Sequence, residues 1–296
     1  MTDEQPFLCG YRLLRIPVVD ADGAPAWPDV FPLEKIDRLR AAAGQRHFSA
    51  QMMLEYISPE RVRLDPDAIV FYEGEFNPRC ACIESLEFRV ESLDNEQSQL
   101  STLNSKLSVT SYACYWDPSS ARHGADASVV ALVLRDDKLR RAFIHDIRYL
   151  RAGDDDLHPF ATQCGAVLDF MSAHGLRHIA VEVNGLGNAM PEILRNGASA
   201  RAQPLTVQKI INHQRKETRI LDAIEPLLGT GRLYAHERVR ATNLPAEMAD
   251  WSPAPGAINR DDGLDAVAGA LRLRPIPVRP LAAGARPINA KTEFII

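Results

Sequence analysis

Three carboxylates in this chain fall where charge is costly. Asp117 closes the run SVTSYACYWD, Glu182 sits inside RHIAVEVN, and Asp265 lies within DDGLDAVAGAL. An unpaired carboxylate beside a hydrophobic element costs several kcal/mol, so a positive partner is expected at each. Ligation by carboxylates alone suits Mg2+ or Mn2+, hard cations that prefer oxygen and bridge phosphates. Two such ions together stabilise the attacking and leaving oxygens of a phosphodiester under hydrolysis. That chemistry is open to these acids if the fold brings them together.

The elements that would position them can be read from hydrophobic period. SVTSYACYWD alternates, SVVALVL (128–134) is apolar throughout, and LRRAFIHDIRYL (139–150) alternates again, with the turn RDDK before it. Three consecutive antiparallel strands are the natural reading. A helix over HPFATQCGAVLDFMSAHG, a strand over RHIAVEVN and a short helix over GLGNAMPEILRNG follow. A strand near Gln203–Val207, a helix over KETRILDAIEPLLGTG and a last helix over RDDGLDAVAGALRL complete the order. Three antiparallel strands followed by crossover units give an α/β, ribonuclease-H-like mixed sheet, whereas a doubly wound sheet would alternate from the start. On that plan Asp117 shares a face with Tyr115, Ala113 and Ser111, and Glu182 shares one with Ala180 and Asn184. In the last helix Leu264, Val267, Ala268 and Leu271 form the apolar stripe, with Asp265 at its edge beside the small Gly269. The first and fourth strands are neighbours in this fold and the last helix packs over them, so the three acids converge.

Taken singly, each acid has a plainer reading. Asp117-Pro118 also fits a turn, Glu182 before Asn-Gly also fits a solvated strand end, and Asp126 also fits the close of a loop. Asp261 and Asp262 read as capping acids of the last helix. Of the eight histidines, His123 and His145 read as the closest to the proposed site, with structural or exposed roles favoured. NGLGNAM lacks the third glycine of a dinucleotide loop; Gly185 and Gly187 read instead as a close backbone approach at a helix start, near a phosphate.

The chain has 296 residues, 46% hydrophobic and 25% charged, and a formal net charge of −5. That balance argues against a protein that coats nucleic acid indiscriminately. Residues 1–105 hold 10 Lys+Arg against 18 Asp+Glu, and the remainder 24 against 21, so the later part is the likelier to meet a polyanion. The segment 1–105 reads as an N-terminal extension of mixed helix and strand. It has a helix around Leu33, Ile36 and Leu39, a helical piece FSAQMMLEYI, and a small β region from AIVFYEGEF through CIESLEFRVESL to QLSTLNSKL. Residues 106–273 form the ribonuclease-H-like unit, and 274–296 a tail of Pro, Arg and Ala. No apolar run approaches the roughly 18–20 residues of a membrane span, and MTDEQPFLCG does not look like a signal peptide. The cysteines (Cys9, Cys80, Cys82, Cys114, Cys164) follow no framework spacing, and Cys80-x-Cys82 has no second pair to close a zinc site. Reduced thiols are expected.

WDPSSARHGADASVVAL, VEVNGLGNAMPEIL, KETRILDAIEPLLGTGRL and DDGLDAVAGAL, in that order, resemble the nuclease domain of the large terminase subunit of tailed bacteriophages. AWPDVFPLEKIDRLRAAAGQRHFSAQMMLEYISP resembles the segment by which that family's ATPase domain leads into its nuclease, so the resemblance spans Trp27 to Leu273. It implies an endonuclease that cuts concatemeric viral DNA, that is, end-to-end genome copies, during packaging in the cytoplasm of the bacterial host. Its metal-binding acids map onto Asp117, Glu182 and Asp265, and the acid after the first-strand loop onto Asp126, with two Mg2+ or Mn2+ ions as cofactors. Double-stranded DNA, a packaging ATPase domain, the small terminase subunit and the portal are the implied partners, with no membrane involved. One departure stands out: no Gly-x-x-x-x-Gly-Lys-Ser/Thr loop exists, and none of the lysines follows a glycine. No ATPase activity is expected from this chain alone.

The run HQRKETR (His213–Arg219) is basic. It reads either as a solvated helix start or as a DNA-phosphate clamp formed by Lys216 and Arg219. Rival functions are a Holliday-junction resolvase or another ribonuclease-H-like nuclease, and a packaging-complex docking module with a vestigial nuclease.

Overall fold

The computed structural model describes residues 15–20, 23–39, 48, 51–54, 63–89, 107–119, 127–151, 156–184, 188–254 and 259–278, without the side chains of 85–89. Asp126, His123, Gly185, Gly187, most of QLSTLNSKL, half of FSAQMMLEYI and the tail beyond 278 lie outside the described residues.

The strands are β1 (Val70–Asn77), β2 (Cys82–Arg89), β3 (Leu107–Ser108), β4 (Ser111–Asp117), β5 (Ser128–Asp136), β6 (Arg141–Leu150), β7 (His178–Glu182), β8 (Thr206–Ile210), β9 (Leu233–His236) and β10 (Ile276–Pro277). Residues 33–39 are helical, as their spacing predicts, and the helices after β6 are α1 (Pro159–Ala173), α2 (Met190–Ala200), α3 (Lys216–Gly229), α4 (Glu237–Arg240), α5 (Leu244–Asp250) and α6 (Asp262–Arg272). One mixed sheet runs in the order β3-β2-β1-β9-β6-β5-β4-β7-β8, with β10 pairing the start of β4. β4, β5 and β6 form the antiparallel meander, while β7 pairs β4 and β8 pairs β7 in parallel. This is the ribonuclease H-like arrangement, with its first and fourth strands adjacent.

Helices cover both faces of the sheet, and that explains why β5 is apolar throughout rather than alternating. On one face Ala113, Tyr115, Val129, Ala131 and Ala180 pack with Leu264, Val267 and Ala268 of α6 and with Ile220 and Ile224 of α3. On the other Cys114, Trp116, Val130, Leu132 and Val181 pack with Val167, Leu168 and Met171 of α1 and Leu194 of α2. α6 approaches the sheet closely because it is built of small residues. A Cβ placed on Gly269 would stand 2.5 Å from Tyr115 Cε1, so only glycine fits against that ring.

Three features differ from the reading of the sequence. The strand expected at Gln203–Val207 occupies Thr206–Ile210 instead. Gln203 N–H closes α2 by donating to Ala198 C=O, and Pro204 has no N–H to give to a ladder. β9, four residues long, carries no readable period, yet it joins β6 to β1 by parallel pairing on both sides. Through it the N-terminal β region continues the same sheet. Finally, Cys80 and Cys82, expected reduced, form a disulfide with Cα atoms 5.4 Å apart, within the span that disulfides bridge. Cys114 and Cys164 are free and buried.

Candidate metal centre

Asp117 ends β4, Glu182 ends β7, and Asp265 sits in the first turn of α6. Since β4 and β7 run parallel with Trp116 beside Val181, their C-terminal ends put the two acids side by side under α6. Ligand oxygens of all three lie within 4.8 Å of one another. Glu182 and Asp265 are buried and Asp117 is half-buried. The cluster that alternation and helical period predict is therefore formed.

The acids are held from several sides. Tyr115 Oη donates to Glu182 Oε2 at 2.5 Å, and Asn212 Nδ2, just past β8, donates to the same oxygen at 2.8 Å and to Tyr115 Oη at 2.9 Å. Asn184 Nδ2 holds the other oxygen at 2.9 Å. Asp265 is gripped by Arg219, whose Nη2 stands 2.5 Å from Oδ1 and 2.6 Å from Oδ2. Lys216 Nζ lies 2.7 Å from Asp261, 3.5 Å from Asp262 and 3.8 Å from Asp265.

Lys216 and Arg219, which HQRKETR offers as a solvated helix start or a phosphate clamp, thus both pair with the clustered acids. Arg219 is only 5% exposed, and Lys216 rims the cluster with its side chain 34% exposed. The capping expectation for Asp261 and Asp262 also needs correction. Asp261 occupies the N-cap position of α6 without a side-chain capping bond; its carboxylate takes Lys216 and, at 3.3 Å, Trp251 Nε1. Asp262 Oδ2 accepts Ala127 N–H at 2.8 Å. The helix end is served from outside, by buried Glu247 of α5, whose Oε2 accepts Leu264 N–H at 3.0 Å.

Electrostatics follow from this crowding. Burial, then the neighbouring Glu182 and Asp265, push the Asp117 carboxyl up to about 8 despite the opposing pull of Lys216. Burial pushes Asp265 up to about 6 against Lys216 and Arg219. Burial alone would lower Lys216, but Asp265 and Asp261 raise it above the ordinary lysine range. Five carboxylates (Asp117, Glu182, Asp261, Asp262, Asp265) face two cations (Lys216, Arg219), an excess of three formal negative charges. An all-oxygen donor set with unbalanced negative charge fits a hard divalent cation.

His145 is not at this centre. It is buried on the opposite face of the sheet, with Nδ1 2.8 Å from Tyr72 Oη and its ring beside His174 and His236. Tyr115, Asn212 and Glu247 were not foreseen as parts of the site. Tyr115 carried the clearest signal, lying two residues before Asp117 on the same strand face.

A cluster of acids across the first and fourth strands and last helix of such a sheet defines a ribonuclease H-like domain. Residues 117–233 match the family model described as Terminase Bacteriophage T7, Ribonuclease H-like domain, and the chain resembles the nuclease domain of phage large terminase subunits. That match includes Asp117 and Glu182 and ends before Asp265. No curated protein sequence matches. Solved structures of similar fold include the large terminase nuclease domain of bacterial virus Sf6, at 11% identity over 56% of this chain and 90% of that one, with TM-score 0.41. The human cytomegalovirus terminase nuclease domain, soaked with Mn and inhibitor-bound, has 15% identity over 44% of this chain and TM-score 0.31, and this chain spans 64% of its length. T. thermophilus RuvC with a Holliday junction substrate has 10% identity over 54% of this chain and 88% of that one, with TM-score 0.32.

Proposed function

We propose that this chain is a metal-dependent DNA endonuclease that cuts concatemeric viral DNA during genome packaging. The observation that carries the proposal is the convergence of Asp117, Glu182 and Asp265, from three separate elements, to within 4.8 Å. The match of residues 117–233 to a terminase ribonuclease H-like domain supports it. Two Mg2+ or Mn2+ ions held by these acids would supply charge stabilisation to the attacking and leaving oxygens of a phosphodiester.

The chain's own residues have distinct tasks in this reading. Tyr115, Asn212 and Asn184 fix the rotamer of Glu182, so that its oxygens stay directed at the cluster. Arg219 holds Asp265 and compensates its buried charge. Lys216, at the open rim, meets the phosphate of bound DNA, so the DNA contact first assigned to Lys216 and Arg219 together falls to Lys216. Cutting is proposed to be nearly independent of sequence, because phosphate contacts carry no base information. Double-stranded DNA is the proposed substrate. A packaging ATPase domain, the small terminase subunit and the portal are the proposed partners.

Digestion of supercoiled plasmid with Mn2+ or Mg2+, with and without EDTA, tests the reading. Nicking and linearisation are expected with metal and none with EDTA. Cleavage of four-way junctions in preference to linear duplex would point to a resolvase instead, and no cleavage under either metal would point to a docking module.

A further inference from the structure

The turn between β1 and β2 carries a second cluster of metal-ligating side chains. β1 ends at Asn77, residues 78–81 turn, and β2 begins at Cys82. Ala81 has φ 53°, a left-handed conformation that reverses the chain between the two cysteines and lets their sulfurs meet. Two residues beyond Cys82, on the same strand face, Glu84 brings Oε1 to 3.5 Å from Cys80 Sγ and 3.9 Å from Cys82 Sγ. Asn77 Nδ2 donates to that oxygen at 3.2 Å and fixes the carboxylate. The three ligand atoms lie within 4.8 Å of one another.

These spacings match a particular coordination. In a tetrahedral zinc site with Zn–S near 2.3 Å and Zn–O near 2.1 Å, each S–O edge is ~3.6 Å and the S–S edge ~3.8 Å. Both S–O edges are already in place, so only the S–S edge has to open. Reduction by a thiol opens it. The S–S bond breaks, the two sulfurs receive two electrons and two protons, and the reductant leaves as its own disulfide. When a cation binds, the two thiol protons are released to solvent. Two thiolates beside a carboxylate repel one another unless a cation lies between them. Thiolate ligands select zinc-like cations over Mg2+ or Mn2+. Cys82 is buried, while Cys80 and Glu84 are half-buried, leaving one side open for a water as fourth ligand.

We propose that the reduced chain binds one zinc-class divalent cation through Cys80, Cys82 and Glu84. The site is separate from the acid centre. Both lie at the C-terminal edge of the parallel strands, but β1 and β4 are four strands apart, roughly 19 Å at the usual strand spacing.

The test is a Co2+ titration of the full chain, reduced with dithiothreitol and desalted without oxygen. A thiolate-to-cobalt charge-transfer band should grow to one equivalent and be bleached by Zn2+. Carboxylate-bound cobalt at the acid centre gives no such band, so the two sites are told apart. The band should vanish in Cys80→Ser/Cys82→Ser. In Glu84→Ala it should need at least about tenfold more cobalt, the smallest loss usual even for an outer-sphere partner. The unreduced wild type, folded and disulfide-closed, should show no band until thiol is added. Absence of the band in the reduced wild type overturns the proposal, as does an equal band before reduction. Its survival in the double variant would assign it to Cys9, Cys114 or Cys164 and would also overturn the proposal. Unchanged binding in Glu84→Ala would remove Glu84 from the site and overturn the three-ligand assignment.

Discussion

Arg219 spans both oxygens of Asp265, with Nη2 at 2.5 and 2.6 Å, and its Nη1 stands 3.6 Å from Glu182 Oε1. A guanidinium therefore already lies among the acids, paired with two of the three. It comes from α3, where it is buried beside Ile220.

Truncating Arg219 should destabilise the metal-free protein. Removing one partner of a buried ion pair leaves the other charge uncompensated, a loss of about 3–5 kcal/mol. Asp265 can take up a proton in response, so Arg219→Ala should sit near the lower end, about 3 kcal/mol. Urea unfolding in EDTA measures this, and saturating Mn2+ should recover part of the loss. A variant as stable as wild type would mean that the pair contributes nothing to the fold.

Stability of the metal-free protein should fall as pH rises. Asp117 and Asp265, pushed up to about 8 and about 6, hold their protons more tightly folded than unfolded. Between about pH 4 and pH 8 the folded state therefore binds more protons, and raising pH favours unfolding. In EDTA the urea midpoint should be higher at pH 5 than at pH 8.5. Asp117→Asn should flatten that difference and raise the midpoint at pH 8.5. A midpoint gap that the variant leaves unchanged would show that Asp117 titrates normally.

Tyr115 links helix packing to acid geometry. Its ring lies against Gly269 while its hydroxyl holds Glu182. Gly269→Ala should cost about 1–3 kcal/mol through overpacking, because the new methyl meets a ring fixed on both sides. Tyr115→Phe keeps that packing and removes the hydroxyl. It should preserve the fold and weaken Mn2+ binding about tenfold or more, as loss of an outer-sphere partner does. Equal metal affinity in Tyr115→Phe would leave the hydroxyl without a role in positioning Glu182.

Glu247 should matter although it is not among the clustered acids. It accepts Leu264 N–H at the start of α6, the helix that carries Asp265. Burial pushes its carboxyl up to about 7, against the Leu264 N–H bond that pulls it down. Glu247→Ala should cost about 1–2 kcal/mol, as loss of a helix cap does, whereas Glu247→Gln, which keeps an accepting oxygen, should cost less. Thermal melts of the two variants decide the matter. Equal melting temperatures would mean that the capping bond adds nothing.

Much of this site was legible because its geometry follows simple periods. Alternation along β4 and β7 puts Asp117 and Glu182 on the face that α6 covers, and the small residues of α6 announce a close approach. Lys216 and Arg219 were harder, since HQRKETR reads as a solvated basic run when only local charge is considered. A helical signal was nonetheless present. Lys216 stands four residues before Ile220, which with Ile224 and Leu228 forms the buried ladder of α3, so its side chain rises on the inward face. β9 had no comparable signal. Four residues cannot display a period, and the strand is fixed by its parallel neighbours β6 and β1 rather than by its own pattern.

The central claim, that Asp117, Glu182 and Asp265 form one metal-binding catalytic unit, is tested most directly by Mn2+ titration under electron paramagnetic resonance, paired with plasmid cleavage by the same samples. Wild type should remove two Mn2+ per chain from the free-ion signal and cut the plasmid. Asp117→Ala, Glu182→Ala and Asp265→Ala should each lose at least one bound ion and all detectable cutting, while circular dichroism shows the fold intact. A folded variant of any of the three that binds two ions and cuts at the wild-type rate would contradict the account.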